Sequence, residues 1–265
     1  MIKQVQLENG LEVAYLEEGS ANQETVILLH GFCGSSAYWN KIVPALSQSY
    51  HVVAVDLRGH GGSSAPDEPY TMERFAEDLS LLVDKLECGP VHLFGHSLGG
   101  YVTLAFAQKH VDKLKSFGLI HSTGYPDDDA AKANRDKGAE NIRENGMEPF
   151  IKALVPKLFA PGHVTSMPED VQVAKEIGFA TKPTGAIQTL KGMRDRADRN
   201  DVLTSTTLPV LLVAGKEDKI IPSEKTFIVN GPRVDQVLLG HAGHMGMMEE
   251  PEAMAEAIIR FVSKN

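Results

Sequence analysis

Cysteine is nearly absent from these 265 residues, which contain only Cys33 and Cys88. Two cysteines cannot build a disulfide framework or a multi-cysteine zinc site, and as free thiols they suit a reducing cytoplasm. A single disulfide between them stays open at this level. Long hydrophobic runs are also missing. The longest, Val26 to Leu29 and Pro209 to Ala214, have strand length and fall far below the roughly 18 residues a membrane span requires. No run of Lys and Arg occurs, and 26 basic against 35 acidic residues give a formal net charge of -9. Such a chain repels a phosphate backbone, which excludes nucleic acid as a partner. The opening MIKQVQLENGLEVAYLEEG lacks the apolar core and small-residue cleavage site of a signal peptide, so a cytoplasmic location is expected. Internal repeats and low-complexity tracts are lacking too.

What is present reads as globular. Hydrophobic residues make up 42% and charged residues 23%, ordinary values for a folded domain. The length suits one domain carrying an insertion. Gln4 to Leu7 and Leu11 to Glu17 alternate in period two around Asn9-Gly10, which predicts an antiparallel hairpin. Unalternating apolar runs follow at Thr25 to Leu29, His51 to Val55, Val91 to Phe94, Leu114 to Ile120 and Pro209 to Gly215. Such runs suit strands buried on both faces of a parallel sheet.

Between the runs lie helical patterns at Thr71 to Leu86, with Thr71 as N-cap, at Leu98 to Lys109, and at Pro251 to Val262. Alternating strand and helix implies an α/β fold with a mostly parallel, doubly wound sheet. The rhythm breaks between Ser122 and Leu203, where only helical stretches are found: Asp129 to Glu144, Pro149 to Leu158, Pro168 to Ile177 and Thr184 to Ala197. The expected division is therefore a core of residues 1–121 and 204–265, with residues 122–203 forming a helical cap or lid.

The chemistry centres on Gly95-His96-Ser97-Leu98-Gly99. A G-x-S-x-G string arises by composition alone in roughly one chain of this size in eight, so its context decides. Here a buried-strand run precedes it and a helix follows. Glycines let the turn tighten until the serine Oγ stands exposed at a helix N-terminus, where partial positive charge favours an anion. A serine hydroxyl needs a base, and that base needs an orienting carboxylate. Asp218 follows the strand Val210-Leu211-Leu212-Val213, and His244 follows Val237-Leu238-Leu239. Both thus stand at carboxyl ends of strands, where sites of open α/β sheets assemble.

The elbow serine and the order Ser97, Asp218, His244 resemble the α/β-hydrolase fold over nearly the whole chain. His30-Gly31-Phe32 and Asp56-Leu57-Arg58-Gly59-His60-Gly61 resemble further elements of that family. The resemblance implies a sheet of about eight strands, a cap inserted after the sixth, and an oxyanion hole from the backbone N–H groups of Phe32 and Leu98. It selects His244 over His241 as base, and Asp218 over Glu217 as acid. Cys33 departs from the glycine many relatives carry. His30, His60 and His96 are expected to fix loops, Asp56 to be structural, and Met245, Met247 and Met248 to pack. His110 and His121 belong to no motif. The charges of Arg194 to Arg199 are expected to form a solvated ion-pair face.

No metal or cofactor is expected, since neither a separate ligand cluster nor a dinucleotide fingerprint is visible. The expected activity is that of a carboxylesterase acting on a small-molecule ester or related acyl substrate, with an oligomer left open. The same residues would also serve C–C bond or enol-lactone hydrolysis, thioester or acyl-carrier methyl-ester cleavage, or cofactor-free peroxidation. Proteins of this fold also act as ligand receptors. Aspartate elbows such as those of dehalogenases and epoxide hydrolases are excluded by Ser97.

Overall fold

A computed structural model describes all 265 residues. The chain opens with an antiparallel hairpin of β1 (Ile2–Gln6) and β2 (Glu12–Glu18). Leu7 and Leu11 close the turn through a 2.8 Å N–H to O contact, and Gly10 takes the left-handed conformation at φ +82. The strands therefore stop short of the Asn9-Gly10 pair and are displaced outward from their expected limits.

The remaining strands are β3 (Thr25–Leu29), β4 (His51–Val55), β5 (Val91–His96), β6 (Leu114–Ile120), β7 (Val210–Gly215) and β8 (Val234–Leu239). All eight belong to one sheet in the order β1-β2-β4-β3-β5-β6-β7-β8, antiparallel at β1-β2 and β2-β4 and parallel elsewhere. Every residue of β3, β4, β5 and β7 is buried, which is why their sequences do not alternate. β8 lies at the sheet's edge and is half exposed, so only its last apolar residues signal a strand.

Seven helices have eight or more residues: α1 (Met72–Leu86), α2 (Leu98–Lys109), α3 (Asp129–Asn145), α4 (Met147–Leu154), α5 (Pro168–Phe179), α6 (Pro183–Arg194) and α7 (Pro251–Val262). Thr71 Oγ1 caps α1 by accepting the Arg74 N–H at 3.1 Å. α3 to α6 all lie between β6 and β7, with no strand among them. α4 starts before Pro149 because proline is tolerated in a first turn, where its missing N–H has no partner to lose. None of the helices is long and apolar enough to cross a membrane.

The Arg194 to Arg199 segment departs from the expected solvated face. α6 ends at Arg194, whose partners Asp136 and Asp195 are exposed, but the chain beyond it turns inward. Arg196 pairs with buried Asp127 at 2.6 Å and lies 4.1 Å from the Tyr101 ring centre. Arg199 pairs with Glu73 of α1 and is itself buried. These two arginines join the inserted helices to the core, because the chain must return here to enter β7.

The sheet order reverses between β3 and β5: from β3 the chain crosses outward to β4, then returns to β5 on the opposite side. That reversal leaves a crevice beyond the carboxyl ends of β3 and β5, the place where open α/β sheets hold ligands.

Candidate active site

Ser97 follows β5 and immediately precedes the first residue of α2, with φ +51 and ψ -112. A serine pays for this conformation with strain, since its Cβ crowds the backbone in the left-handed half of φ space. The neighbouring glycines leave no alternative. A Cβ on Gly95 would stand 2.1 Å from the Gly99 carbonyl oxygen, and one on Gly99 would stand 2.6 Å from that of Leu29. The Oγ makes no capping hydrogen bond to its helix. The backbone instead is held: Ser97 N–H donates to Ile120 O at 2.9 Å, and Ser122 Oγ donates to Ser97 O at 2.7 Å.

Phe32 follows β3, and its N–H has no acceptor in the loop. Leu98, as the first residue of α2, has no intrahelical acceptor for its N–H either. Both N–H groups are thus free of protein acceptors. The loop behind Phe32 is held by His30, whose Nδ1 lies 2.7 Å from Gly31 O and whose Nε2 accepts the Leu57 N–H at 3.0 Å. Burial pushes the His30 pKa down to about 4, and burial together with neighbouring His30 takes His60 to about 3. Asp56 accepts from Ser36 and Gly62 N–H groups, so its carboxylate is spent on loop structure. Cys33 is buried and free, with φ +56, and burial raises its thiol pKa.

On the far side, His244 Nδ1 lies 2.8 Å from Asp218 Oδ2, both side chains being buried. Asp218 Oδ1 accepts the N–H groups of Ile220 and Ile221 at 2.8 and 2.9 Å. Burial opposes ionisation of Asp218, yet the attraction of His244 and the hydrogen bonds from His121 and His244 outweigh it and hold the carboxyl well below its usual range. The rivals lie elsewhere: His241 is exposed, and Glu217 is only half-buried. His96 Nε2 lies 2.8 Å from the His244 carbonyl oxygen, and its ring centre is 4.9 Å from that of His244. Burial lowers its pKa strongly, so as a neutral ring it fixes the loop carrying His244.

Three participants have no sequence signal. His121 sends its Nδ1 to the same Asp218 Oδ2, at 3.3 Å. Ser122 supports the Ser97 carbonyl as described. Glu249, whose side chain is wholly buried, accepts from Gly243 and Met245 N–H on Oε1 and from Ala160 N–H and His163 Nδ1 on Oε2. The ligand atoms of His121, Asp218 and His244 all lie within 4.8 Å of one another. Both Nδ1 atoms address one carboxylate oxygen, the geometry of two donors on one acceptor, whereas metal ligands turn lone pairs to a common point.

A cavity of about 250 Å³ adjoins Phe32 and runs beneath α3, α4 and α6, with Phe150, Leu154 and Leu190 supplying apolar walls and Arg135 a charged one. Phe32 and Phe150 meet edge to face, with ring centres 6.0 Å apart. Neither this cavity nor the larger depressions elsewhere are lined by Ser97, Asp218 or His244.

Residues 24–251 match the family model of the alpha/beta hydrolase fold. The chain is 31% identical to the dihydrolipoyllysine-residue acetyltransferase component of the acetoin cleaving system of Pseudomonas putida, over 97% of its own length and 68% of that protein's. It is 27% identical to a 2-hydroxy-6-oxo-6-(2'-aminophenyl)hexa-2,4-dienoic acid hydrolase of Metapseudomonas resinovorans, over 96% and 89% of the two chains. Among solved structures, a thermophilic esterase from Thermogutta terrifontis superposes with a TM-score of 0.93 at 30% identity, covering 100% of this chain and 98% of that one. By family match, sheet topology and elbow geometry together, the chain belongs to the α/β-hydrolase fold family.

Proposed function

We propose that the protein is a serine hydrolase that cleaves a small carboxylic ester through an acyl-enzyme intermediate. Ser97 Oγ attacks the ester carbonyl while His244 Nε2 takes its proton. The Phe32 and Leu98 N–H groups receive the developing oxyanion, and the His244 imidazolium returns the proton to the leaving alcohol. Water, activated by the same ring, then releases the acid. Asp218 holds His244 in the Nδ1–H tautomer, which leaves Nε2 as the base.

The observation that carries this reading is the pairing of a strained serine, φ +51 at a strand-to-helix turn, with a buried His244–Asp218 hydrogen bond of 2.8 Å at the same sheet edge. Strain concentrates where it serves function. Neither Ser97 Oγ nor His244 Nε2 is engaged by another protein group, and catalytic hydrogen bonds commonly close only around substrate. The similarity to the Thermogutta terrifontis esterase favours an ester over other acyl substrates. α3 to α6 act in this reading as a lid, and the cavity beside Phe32 takes one arm of the ester.

Hydrolysis of p-nitrophenyl acetate, butyrate and octanoate by the wild type and by Ser97→Ala tests it. Turnover that depends on Ser97 and favours one chain length supports an ester hydrolase with a pocket of matching depth. No turnover from folded wild type rules the ester reading out and directs attention to lactone or C–C substrates.

A further inference from the structure

Asp218 meets two histidines, although proton transfer from Ser97 requires only one. His244 Nδ1 and His121 Nδ1 lie 2.8 and 3.3 Å from the same atom, Asp218 Oδ2. An ionised carboxylate only accepts, so both Nδ1 atoms carry hydrogen. Burial lowers the pKa of His121, and a neutral ring with hydrogen on Nδ1 leaves a bare Nε2. That nitrogen is buried without a partner, as a lone pair can be at less cost than an orphaned N–H.

His121 is also fixed in place. It directly follows β6 with φ +47, and its N–H donates at 2.8 Å to Val213 O of β7, the strand that leads to Asp218. Its ring is wholly buried, and a Cβ on Gly246 would stand 2.4 Å from Nε2. Its Nδ1 is thus committed to Asp218 and its Nε2 lies against Gly246.

We propose that His121 is a positioning residue: it shares Asp218 Oδ2 with His244, fixes the carboxylate plane, and withholds part of the carboxylate's negative charge from the His244 ring. The proposal rests on His244 being the base. Each donor on a carboxylate disperses its charge and weakens its pull on a neighbouring imidazolium. Two other titratable groups lie close to His244 or its loop. His96 addresses its backbone carbonyl, and Glu249 reaches only the Gly243 and Met245 N–H groups of its loop.

Two substitutions separate this role from packing. His121→Phe fills the space without a donor. His121→Asn can place an amide N–H where Nδ1 stood, and asparagine tolerates positive φ. The acid limb of kcat/KM against pH is measured with p-nitrophenyl butyrate, and the His244 ring is titrated by NMR without substrate. His121→Phe is expected to move both upward by ~0.5–1 pH unit, while His121→Asn stays with the wild type. If His121→Phe does not fold, His121→Ala takes its place in the comparison. A fall in kcat with neither midpoint moved, or an equal shift in His121→Asn, overturns the proposal. Should the wild type hydrolyse no ester, the hydrolase reading fails, while the NMR titration still decides whether His121 tunes His244.

Discussion

Glu249 Oε2 lies 2.7 Å from His163 Nδ1, so a wholly buried carboxylate beside the last helix grips the segment that joins α4 to α5. The same carboxylate holds both flanks of His244 through Gly243 and Met245, and the His244 N–H donates at 2.7 Å to Leu158 O. The loop carrying the proposed base and one end of the inserted helices are thus one structural unit.

Glu249→Leu leaves four donors unmet, three of them buried. Removing one partner of a buried charged cluster costs about 3–5 kcal/mol, which for a chain of this size is a fall in Tm of roughly 6 °C or more. Calorimetry checks this, and an unchanged Tm would show that the loop and the inserted helices hold without Glu249. Glu249→Gln retains acceptors for some of the donors and should fall between.

Ser97 trades stability for position. Its φ of +51 costs a non-glycine residue about 1–3 kcal/mol, so Ser97→Gly is expected to be more stable than Ser97→Ala by about 1 kcal/mol. Both should lose at least ~10⁴-fold in kcat if Ser97 is the nucleophile. Denaturant unfolding alongside ester turnover reads both quantities.

The cavity beside Phe32 offers a test of substrate shape. Leu154→Ala deepens it, and if it holds the acyl arm, the octanoate to butyrate ratio of kcat/KM should rise by about tenfold, the effect of accommodating extra methylenes. An unchanged ratio would place the acyl arm elsewhere.

Acid should destabilise the fold in two stages. His30 and His60 are buried with pKa values lowered to about 4 and about 3, whereas the unfolded chain protonates them near 6.5. The unfolded state therefore binds more protons below 6.5. Stability is lost as pH falls from there towards 4, by on the order of 3 kcal/mol for each histidine. Asp218, with its pKa depressed, contributes stability that is present above about 4 and is lost only as pH falls further. Urea midpoints from pH 7 to pH 4 should decline in the wild type and decline less in His60→Phe.

Much of this was legible in the chain. Local chemistry determined the limits of β3, β4, β6, α2 and α7, because their strands are buried on both faces and their helices begin at a glycine-rich elbow or a proline. Gly95 and Gly99 announced the Ser97 turn, since no Cβ fits there. β8 was legible only at Val237 to Leu239, as an edge strand keeps polar residues facing water. Arg196 and Arg199 were misread as a solvated face because a charge pattern does not reveal where a helix ends.

Only the tertiary structure decided which groups meet Asp218. His121 is 97 residues away in sequence, in no motif, and it arrives because β6 and β7 are parallel neighbours, Ile120 beside Val213. Their carboxyl ends therefore open side by side, one presenting His121 and the other leading into the Asp218 loop. Glu249 likewise carries no local pattern that marks its four partners. The sequence by itself determined the elbow, the order of Ser97, Asp218 and His244, and the alternation of strand and helix, all of which depend on near neighbours along the chain. The company those residues keep depends on strand order and crossover, which bring distant segments together through space.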